Sequence, residues 1–420
     1  MLNKLEALIQ SRASTSDRRS SSHETNDPNA SPGECLVNHA ADGTVVDVVV
    51  RECGLPGFPA ILSQLPDLEQ LDLSGNRLTA LPDDIGDLPR LTRLVLDDNQ
   101  LAALPESIGA LTSLRWLALD GNALTDLPAA ISRLPQLERL DARRNRLAVV
   151  PASLRQLTQL RDLRLGKNLL TSVPDWLWQL SNLETLDLSE NRLASVPAGV
   201  GALQRLSMLD LGHNALMALP DALGLLTNLT GYLYLSDNQL AALPESLVNL
   251  HRLAYLNATD NQLTALPTRL GDMVGLVELR LYNNQLPALP DSLGQLTNLS
   301  ELHLQNNALR ALPASLGGLR SLRQLNLSGN RLVRLPESLG GLLKLTQLDL
   351  RNNQLLELPA ALGNATHLRH LDLRGNKLRT LPASLAALPQ LEKLDLRWNK
   401  LTGSQPWLRD LERRGCVVLR

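Results

Sequence analysis

The chain of 420 residues has few aromatic residues, no long apolar segment and almost no net charge. Aromatic residues make up only 2% of the chain, so a core would have to be built from leucine and valine. The formal charge of −2 provides no general attraction to nucleic acid or to an anionic membrane. No apolar run approaches the roughly 20 residues that cross a bilayer. These absences predict that the chain binds neither nucleic acid nor membrane.

Cysteine is also scarce, with Cys35, Cys53 and Cys416 far apart in the sequence. An odd and scattered set does not form the framework of paired cysteines that is typical of small secreted domains. Residues 1–10 lack the apolar core of a secretory signal peptide. The sequence therefore predicts a protein that is not exported by the classical route and that works in a reducing compartment.

The motifs of common enzyme classes are missing. None of the seven histidines lies in an HExxH motif or at the Cys/His spacing of a zinc site. No glycine-rich phosphate loop follows a strand into a helix. We therefore predict no enzyme activity, no cofactor and no bound metal.

What the chain does have is an asparagine that recurs every 23 residues, with one step of 24 residues. Each asparagine lies in the pattern LxxLxLxxNxLxxLPxxLxxLxx, where x is a variable position. The fifteen asparagines are Asn76, Asn99, Asn122, Asn145, Asn168, Asn191, Asn214, Asn238, Asn261, Asn284, Asn307, Asn330, Asn353, Asn376 and Asn399. Such a period indicates an array of identical supersecondary units that stack on one another.

Each unit predicts one short parallel strand, LxLxx, with its leucines inward and its variable residues on the outer face. The asparagine is expected to turn inward and to hydrogen-bond the backbone of its own and the adjacent unit, because buried backbone groups in a turn need partners. The Pro-x-x-Leu segment that follows suits a short helical turn with proline at its start. The predicted structural residues are therefore the fifteen asparagines.

This pattern resembles the leucine-rich repeat superfamily, in particular its 23-residue subclass with Leu-Pro after the asparagine. The segment Leu-Pro-Glu-Ser-Leu-Gly-Gly-Leu at residues 335–342 is similar to the subclass consensus. The subclass includes bacterial type III secreted effectors with plant-like repeats and intracellular Ras-binding scaffold proteins. The resemblance implies an α/β fold, a horseshoe-shaped solenoid with a concave parallel β-sheet and short helical or 3-10 segments on the convex side.

Three regions are predicted along the chain. Residues 1–44 are rich in serine, asparagine and charge, which is typical of a disordered leader and is similar to type III secretion signals. Residues 45–403 form an array of about sixteen units, the first with Cys53 in the position of the asparagine. Residues 404–420 form a C-terminal cap, with a helix at Trp407–Arg413 and a last strand near Val417.

The outer positions of the strands carry a tyrosine cluster that the repeat consensus does not require. All four tyrosines fall there, in three consecutive units, and a one-residue insertion at Gly231 predicts a bulge beside them. Tyrosine is enriched in binding hot spots, although these rings could also pack across adjacent strands. The partner-binding residues predicted in this region are Met208, Tyr232, Tyr234, Tyr255, Tyr282 and His303.

A second candidate lies nearer the N-terminus, where Trp116, Arg139 and Arg164 take outer positions. Arginines and aspartates alternate in these units, so the surface either compensates its own charge or receives a charged partner beside Trp116. Further along, Asp349 stands in a row with Asp372 and Asp395, and an arginine follows each by two residues. This arrangement predicts a structural ladder of ion pairs.

The sequence thus predicts a monomeric, non-catalytic solenoid that binds a protein partner on its concave face. Three biological settings remain open. The first is a bacterial effector that is secreted from the bacterial cytoplasm into a host cell. The second is a resident cytoplasmic signalling scaffold, and the third is the substrate-recognition part of an enzyme system such as ubiquitin ligation.

Overall fold

The computed structural model of the chain describes residues 33–402 and 405–420. Residues 1–32 of the predicted leader lie outside the described residues, as do residues 403 and 404 of the predicted boundary between array and cap. The described residues up to Leu193 form one compact unit, and those from Ala194 onward form a second. The two units are called the N-terminal unit and the C-terminal unit.

The N-terminal unit contains eight strands. Its first two strands pair in antiparallel fashion and the remaining pairs, from β2–β3 to β7–β8, are parallel. The strands are β1 Glu34–His39, β2 Val45–Arg51, β3 Gln70–Asp72, β4 Arg93–Val95, β5 Trp116–Ala118, β6 Arg139–Asp141, β7 Asp162–Arg164 and β8 Thr185–Asp187. The 3-10 helices between them are Leu62–Gln64, Asp83–Asp87, Glu106–Ala110, Ala129–Arg133, Ala152–Gln156 and Asp175–Gln179.

The C-terminal unit contains ten parallel strands, each paired with the next in the chain. They are β9 Met208–Asp210, β10 Tyr232–Tyr234, β11 Tyr255–Asn257, β12 Glu278–Arg280, β13 Glu301–His303, β14 Gln324–Asn326, β15 Gln347–Asp349, β16 His370–Asp372, β17 Lys393–Asp395 and β18 Val417–Leu419. The α-helix α1 spans Trp407–Arg413, and the 3-10 helices are Ala198–Ala202, Asp221–Leu225, Glu245–Asn249, Leu270–Asp272, Asp291–Gln295, Ala314–Gly318, Glu337–Gly341, Ala360–Asn364 and Ala383–Ala387.

A single repeat shows why the sequence adopts this structure. In the β4 unit, Leu94 and Leu96 are completely buried and Val95 between them is also buried, whereas Arg93 and Asp97 on either side are partly exposed. Pro105 then takes an extended conformation, with φ −72° and ψ 153°, and the 3-10 helix begins at the next residue. Ile108 of that helix is buried against the neighbouring unit. Repetition of this unit confirms the predicted leucine-rich solenoid fold.

The asparagine side chain connects each unit to its neighbours. The amide Nδ2 of Asn99 donates to the carbonyl oxygens of Leu73, in the preceding unit, at 2.9 Å and of Leu96, in its own unit, at 3.1 Å. Its Oδ1 accepts the backbone N–H of Leu78 at 3.0 Å. Asn99 is buried, and the same bonds recur at other asparagines of the array, such as Asn330. The amide therefore satisfies backbone groups that water cannot reach.

The turn that directs the asparagine inward has a conformational cost. Among the described residues, the position before the asparagine, or before Cys53, has a positive φ in all sixteen units, and only four of these residues are glycine. Asp98, for example, has φ 50° and Arg144 has φ 48°. L-amino acids avoid this left-handed region, at a cost of roughly 1 kcal/mol or more per residue. In the fifteen units that contain the asparagine, its bonds offset this cost.

The boundary of the leader predicted at residue 44 needs a correction. Strand β1 runs antiparallel to β2, in the register Glu34 to Arg51 and His39 to Val45. The side chain of Arg51 bonds Glu34 at 2.9 Å and Asp72 of the next unit at 2.7 Å. An edge strand exposes a row of unpaired backbone groups, and β1 covers that edge of β2. Residues 34–44 therefore belong to the folded part as an N-terminal hairpin.

The other end of the array is closed by α1 and β18. Leu408 and Leu411 of α1 are buried, and β18 pairs with β17 in parallel, as another repeat strand would. Across the described residues, no helix is both long and apolar enough to span a membrane.

We predict that replacing one asparagine weakens the array locally. In Asn99→Ala the buried N–H of Leu78 and the carbonyl of Leu73 lose a side-chain partner, which should lower the free energy of unfolding by about 2–4 kcal/mol. Amide hydrogen exchange should accelerate in the β3 and β4 units. The control is Gln100→Ala, an exposed neighbour. Equal exchange in both variants would contradict a structural role for the asparagine.

Candidate functional site

The outer sheet face is formed by the residues on either side of the central leucine of each strand. In the C-terminal unit these positions are aromatic on β10 and at the start of β11, ionisable on β12 and β13, and polar or ionisable from β14 to β17. The central leucines Leu233 and Leu256 are completely buried, so the flanking side chains point away from the core. Residues at these positions can vary without disturbing the repeat, so this face could bind a ligand.

Three tyrosines form a contiguous group on this face, which we call the aromatic patch (Tyr232, Tyr234 and Tyr255). The ring centres of Tyr232 and Tyr234 lie 4.6 Å apart, and those of Tyr234 and Tyr255 lie 5.1 Å apart. The guanidinium of Arg280 lies over the Tyr255 ring, 5.6 Å from its centre. All three tyrosines are half-buried. The patch therefore presents three tilted rings in contact, together with phenol groups and one cation.

Burial dominates the electrostatics of Tyr255. It raises the pKa of the phenol, and the positive charge of Arg280 counters this only in part. The phenol therefore stays protonated at neutral pH and can donate a hydrogen bond to a ligand. A protonated tyrosine beside a cation suits contact with an acceptor group on a partner.

The structure places the other predicted residues of this region around the patch. Met208 begins β9, and His303 ends β13. Tyr282 lies beyond the end of β12, where its carbonyl oxygen accepts the N–H of Asp260 at 3.1 Å. Within the predicted segment from Met208 to His303, the three tyrosines of the aromatic patch are in contact. The other predicted residues lie on or beside neighbouring strands.

The extra residue Gly231 lies directly before β10. Pairing of β10 with β11 begins at Tyr232, whereas pairing with β9 covers Leu233 and Tyr234. A side chain at Gly231 would clash with Met208, because its Cβ would lie 2.8 Å from the Met208 Cγ. A larger residue would therefore need the flexible Met208 side chain to move, and β10 forms one pair of residues fewer with β9 than with β11.

A cluster beside the patch was missed by the sequence analysis. Donor atoms of Glu278, Glu301 and His303 lie within 4.8 Å of one another and could hold a metal ion. Glu278 also forms an ion pair with Arg280, and His303 lies 3.1 Å from Glu301. The parallel register pairs Glu278 with Glu301, so the 23-residue spacing of the two glutamates was the available signal.

In the N-terminal unit, Trp116 is held between two arginines. The guanidinium groups of Arg93 and Arg139 each lie 4.4 Å from the Trp116 ring centre. Arg139 also approaches Asp162 at 3.5 Å, and Arg164 bonds the same carboxylate at 2.9 Å. The predicted residues Trp116, Arg139 and Arg164 therefore lie together, beside a cavity of about 170 Å³. Their charges are largely paired within the unit.

The aspartate row of the C-terminal unit is paired in the same way. Asp349, Asp372 and Asp395 each bond the arginine two residues later, at 2.8, 2.6 and 2.7 Å respectively. Arg374 also reaches Asp395 at 3.3 Å, which links neighbouring units. A cavity of about 360 Å³ adjoins this row on the outer sheet face. Its lining of glutamine, asparagine, histidine and aspartate gave no signal in the sequence beyond polarity.

Comparison with known proteins identifies the family. The leucine-rich repeat model matches residues 58–101, 181–240, 274–332, 311–355 and 343–401, and the leucine-rich repeat region model matches residues 106–195. The chain therefore belongs to the leucine-rich repeat family. Arrays of this kind are in general folds for protein interaction rather than catalysis. No curated protein matches the sequence.

Solved structures share the fold over most of the chain. A leucine-rich repeat protein of Leptospira interrogans is 36% identical, with a TM-score of 0.81, over 87% of this chain and 93% of that chain. The ectodomain of the Arabidopsis thaliana receptor kinase GASSHO1/SCHENGEN3 is 34% identical, with a TM-score of 0.65, over 87% of this chain and 48% of that chain. An internalin of Listeria monocytogenes is 26% identical, with a TM-score of 0.64, over 76% and 89%.

Asp97, which lines the cavity beside Trp116, provides a pH test of this surface. Burial, aided by the like charges of Asp141 and Asp120, raises its pKa from 3.8 to about 6, although the carboxylate accepts the Asp120 N–H at 2.8 Å. Between pH 3.8 and about 6, the folded protein therefore keeps a proton on Asp97 that the unfolded chain has released. The stabilisation that this proton gives to the folded state is complete below pH 4 and is lost as the pH rises through 6.

Asp97→Asn removes this charge and keeps an oxygen for the Asp120 N–H. We expect the variant to be more stable than wild type at pH 7, by about 1–2 kcal/mol, with a smaller change in stability between pH 4 and 6. Urea denaturation at several pH values measures both effects. Asp126→Asn, at an exposed position, serves as the control. A destabilised Asp97→Asn protein with an unchanged pH profile would contradict the assignment.

Proposed function

We propose that this chain recognises a protein partner through the aromatic patch on the outer sheet face, which the sequence predicts to be concave. Binding is stoichiometric and non-catalytic. The partner contacts Tyr232, Tyr234 and Tyr255, and Arg280 contributes a cation at the edge of the contact.

The observation that carries this proposal is the contact between three tyrosine rings at positions the repeat leaves free. The chain has four tyrosines, five tryptophans and one phenylalanine in 420 residues, so three aromatic side chains in contact are unusual for this sequence. Ring centres 4.6 and 5.1 Å apart form one continuous surface. Tyrosine supplies large contact area at small entropic cost, and clusters of this kind dominate the binding energy of many interfaces.

The alternative is that the rings serve cross-strand packing alone. Inner leucines that are completely buried already hold β10 and β11, and other outer positions of the array function with glutamine or aspartate. Packing therefore does not require aromatic residues at these positions. Solved relatives also favour recognition, since the GASSHO1/SCHENGEN3 ectodomain was solved in complex with CASPARIAN STRIP INTEGRITY FACTOR 2.

Our leading biological setting is a bacterial effector that is delivered into a host cell. The similarity to proteins of Leptospira and Listeria supports a bacterial origin, and the serine-rich composition of residues 1–32 supports a secretion signal. A resident cytoplasmic scaffold is the alternative, and a substrate-recognition subunit of an enzyme system is the third setting. All three use the same monomeric binding surface.

The binding proposal predicts that a triple variant, Tyr232→Ala, Tyr234→Ala and Tyr255→Ala, loses its partner while remaining folded. Affinity should fall at least tenfold, because hot-spot residues each contribute about 2 kcal/mol or more. Wild type and variant, matched by circular dichroism, are immobilised and exposed to host and bacterial lysates. Captured proteins are then identified and their binding is quantified with purified partner.

The matched control replaces Gln324, Gln347 and His370 by alanine. These residues take the same outer position on β14, β15 and β16, away from the patch. A partner that binds wild type and this control equally but not the tyrosine variant supports the proposal. A partner that binds all three proteins equally contradicts it and directs attention to Trp116 and its flanking arginines.

The effector setting makes a separate prediction. A reporter fused behind residues 1–32 should leave a bacterium with an active type III system and stay inside a secretion-deficient strain. A reporter fused behind residues 33–51, which form the hairpin, is the control. Retention of both fusions would contradict the effector setting and favour the resident scaffold.

A further inference from the structure

The sulfur atoms of Cys35 and Cys53 lie 2.7 Å apart in the N-terminal hairpin. Cys35 is on β1 and faces Val50 of β2, while Cys53 lies two residues beyond the end of β2. Both thiols are half-buried, and the third cysteine, Cys416, is buried near the other end of the chain. The two sulfurs thus meet although eighteen residues separate them.

The repeat itself brings these sulfurs together. Cys53 takes the position of the asparagine in the first unit, where the side chain is directed inward by the turn at Glu52, with φ 53°. In the next unit the amide of Asn76 donates to the carbonyl two residues before it, that of Ser74, and to Val50 in the preceding unit. The sulfur of Cys53 likewise lies 3.1 Å from the carbonyl two residues before it, that of Arg51.

The first unit has no preceding repeat for an asparagine to bond. Strand β1 stands in that place, and Cys35 is the β1 residue that the Cys53 side chain meets. Cysteine in both positions therefore replaces the asparagine bridge with a contact between sulfurs. Cys53 in the repeat and Cys35 in the hairpin therefore form a pair.

At 2.7 Å the two sulfurs are closer to each other than the Cys53 sulfur is to the Arg51 carbonyl oxygen, at 3.1 Å. The same Cys53 sulfur contacts the carbonyl oxygen of Glu34 at 3.8 Å. A disulfide bond is about 2.05 Å long, so a small approach of the two side chains is enough to form one. The strands are already close at this point, since a Cβ added at Gly33 would lie 2.8 Å from the Glu52 carbonyl oxygen.

We infer that Cys35 and Cys53 are a site of disulfide formation, which cross-links the N-terminal hairpin to the first repeat. The oxidant is a small-molecule disulfide. The Cys35 thiolate attacks one of its sulfurs and releases one small thiol, and Cys53 then attacks the Cys35 sulfur of the mixed disulfide and releases a second. Two protein S–H bonds break, one S–S bond forms, and the oxidant is reduced to two thiols.

Burial and the neighbouring Cys35 thiol raise the pKa of Cys53 to about 12. Cys53 is therefore protonated at neutral pH, which slows its attack as a thiolate, and the second step relies on the high local concentration of a sulfur held 2.7 Å from its target. The cross-link secures β1 on the edge of β2, where otherwise hydrogen bonds and the exposed ion pair of Arg51 with Glu34 hold it. It does not depend on partner binding.

The test uses the full chain, reduced and then incubated with a mixture of oxidised and reduced glutathione. Peptide mapping without reduction should recover the Cys35 and Cys53 peptides joined in monomeric protein, with the loss of two hydrogen atoms, and Cys416 free. Amide exchange across residues 34–39 should be about tenfold slower in the oxidised protein. Reductant should reverse both changes.

Cys416→Ser is the matched control and should keep the joined peptides and the slow exchange. Cys35→Ser should exchange at the rate of the reduced wild type under both conditions. Peptide mapping of wild type needs no variant, so a variant that fails to fold does not affect the result. Recovery of Cys35 and Cys53 as free thiols or as separate glutathione adducts would overturn the inference, as would a bridge found only between two chains.

Discussion

The bond between an asparagine amide and the backbone of two units is the interaction on which the rest of this structure depends. Leucines in every unit bury the same apolar surface, so hydrophobic burial alone does not distinguish one stacking register from another. The amide of Asn99 must reach the carbonyl of Leu73 and the N–H of Leu78, which sets the relative position of the units. It also stabilises a turn in which non-glycine residues have positive φ. Few inward positions then remain free to vary, and function is left to the outer sheet face.

The ends of the array show what this constraint requires. An end unit lacks a neighbour on one side, so its strand edge and its inward side chain need other partners. At the N-terminus, β1 covers β2 and Cys53 stands where the asparagine would. At the C-terminus, α1 and β18 close the array with buried Leu408 and Leu411. The N-terminal end is covered by an antiparallel strand and the C-terminal end by a parallel one.

Much of this could be predicted from the sequence because the period is strict. The inward asparagines, the strand at each LxL and the outward tyrosines all follow from position in the repeat. The hairpin could not, because Glu34–His39 has no repeat pattern and follows a segment of low hydrophobicity. Contacts between variable side chains were also missed. The stacking of Arg93 and Arg139 on Trp116 depends on rotamers, which a repeat pattern does not specify.

The aromatic patch is the part of the outer sheet face for which we claim a binding role. Its rings contact one another, Arg280 lies over one of them, and burial raises the pKa of the Tyr255 phenol. The arginine and aspartate rows elsewhere are satisfied by ion pairs within a repeat and between neighbouring repeats. The charges of these rows are therefore already paired within the protein, whereas the aromatic patch has contact surface available for a partner.

The most direct test of this claim is a contact map made by photo-crosslinking. A photoreactive amino acid is placed at Met208, which borders the patch, and in a second protein at Leu225, an exposed residue on a 3-10 helix. Our account predicts that a bound partner crosslinks to position 208 and not to position 225. Crosslinks at position 225 alone would show that the partner binds the helical side, and the assignment of the aromatic patch as the binding surface would be wrong.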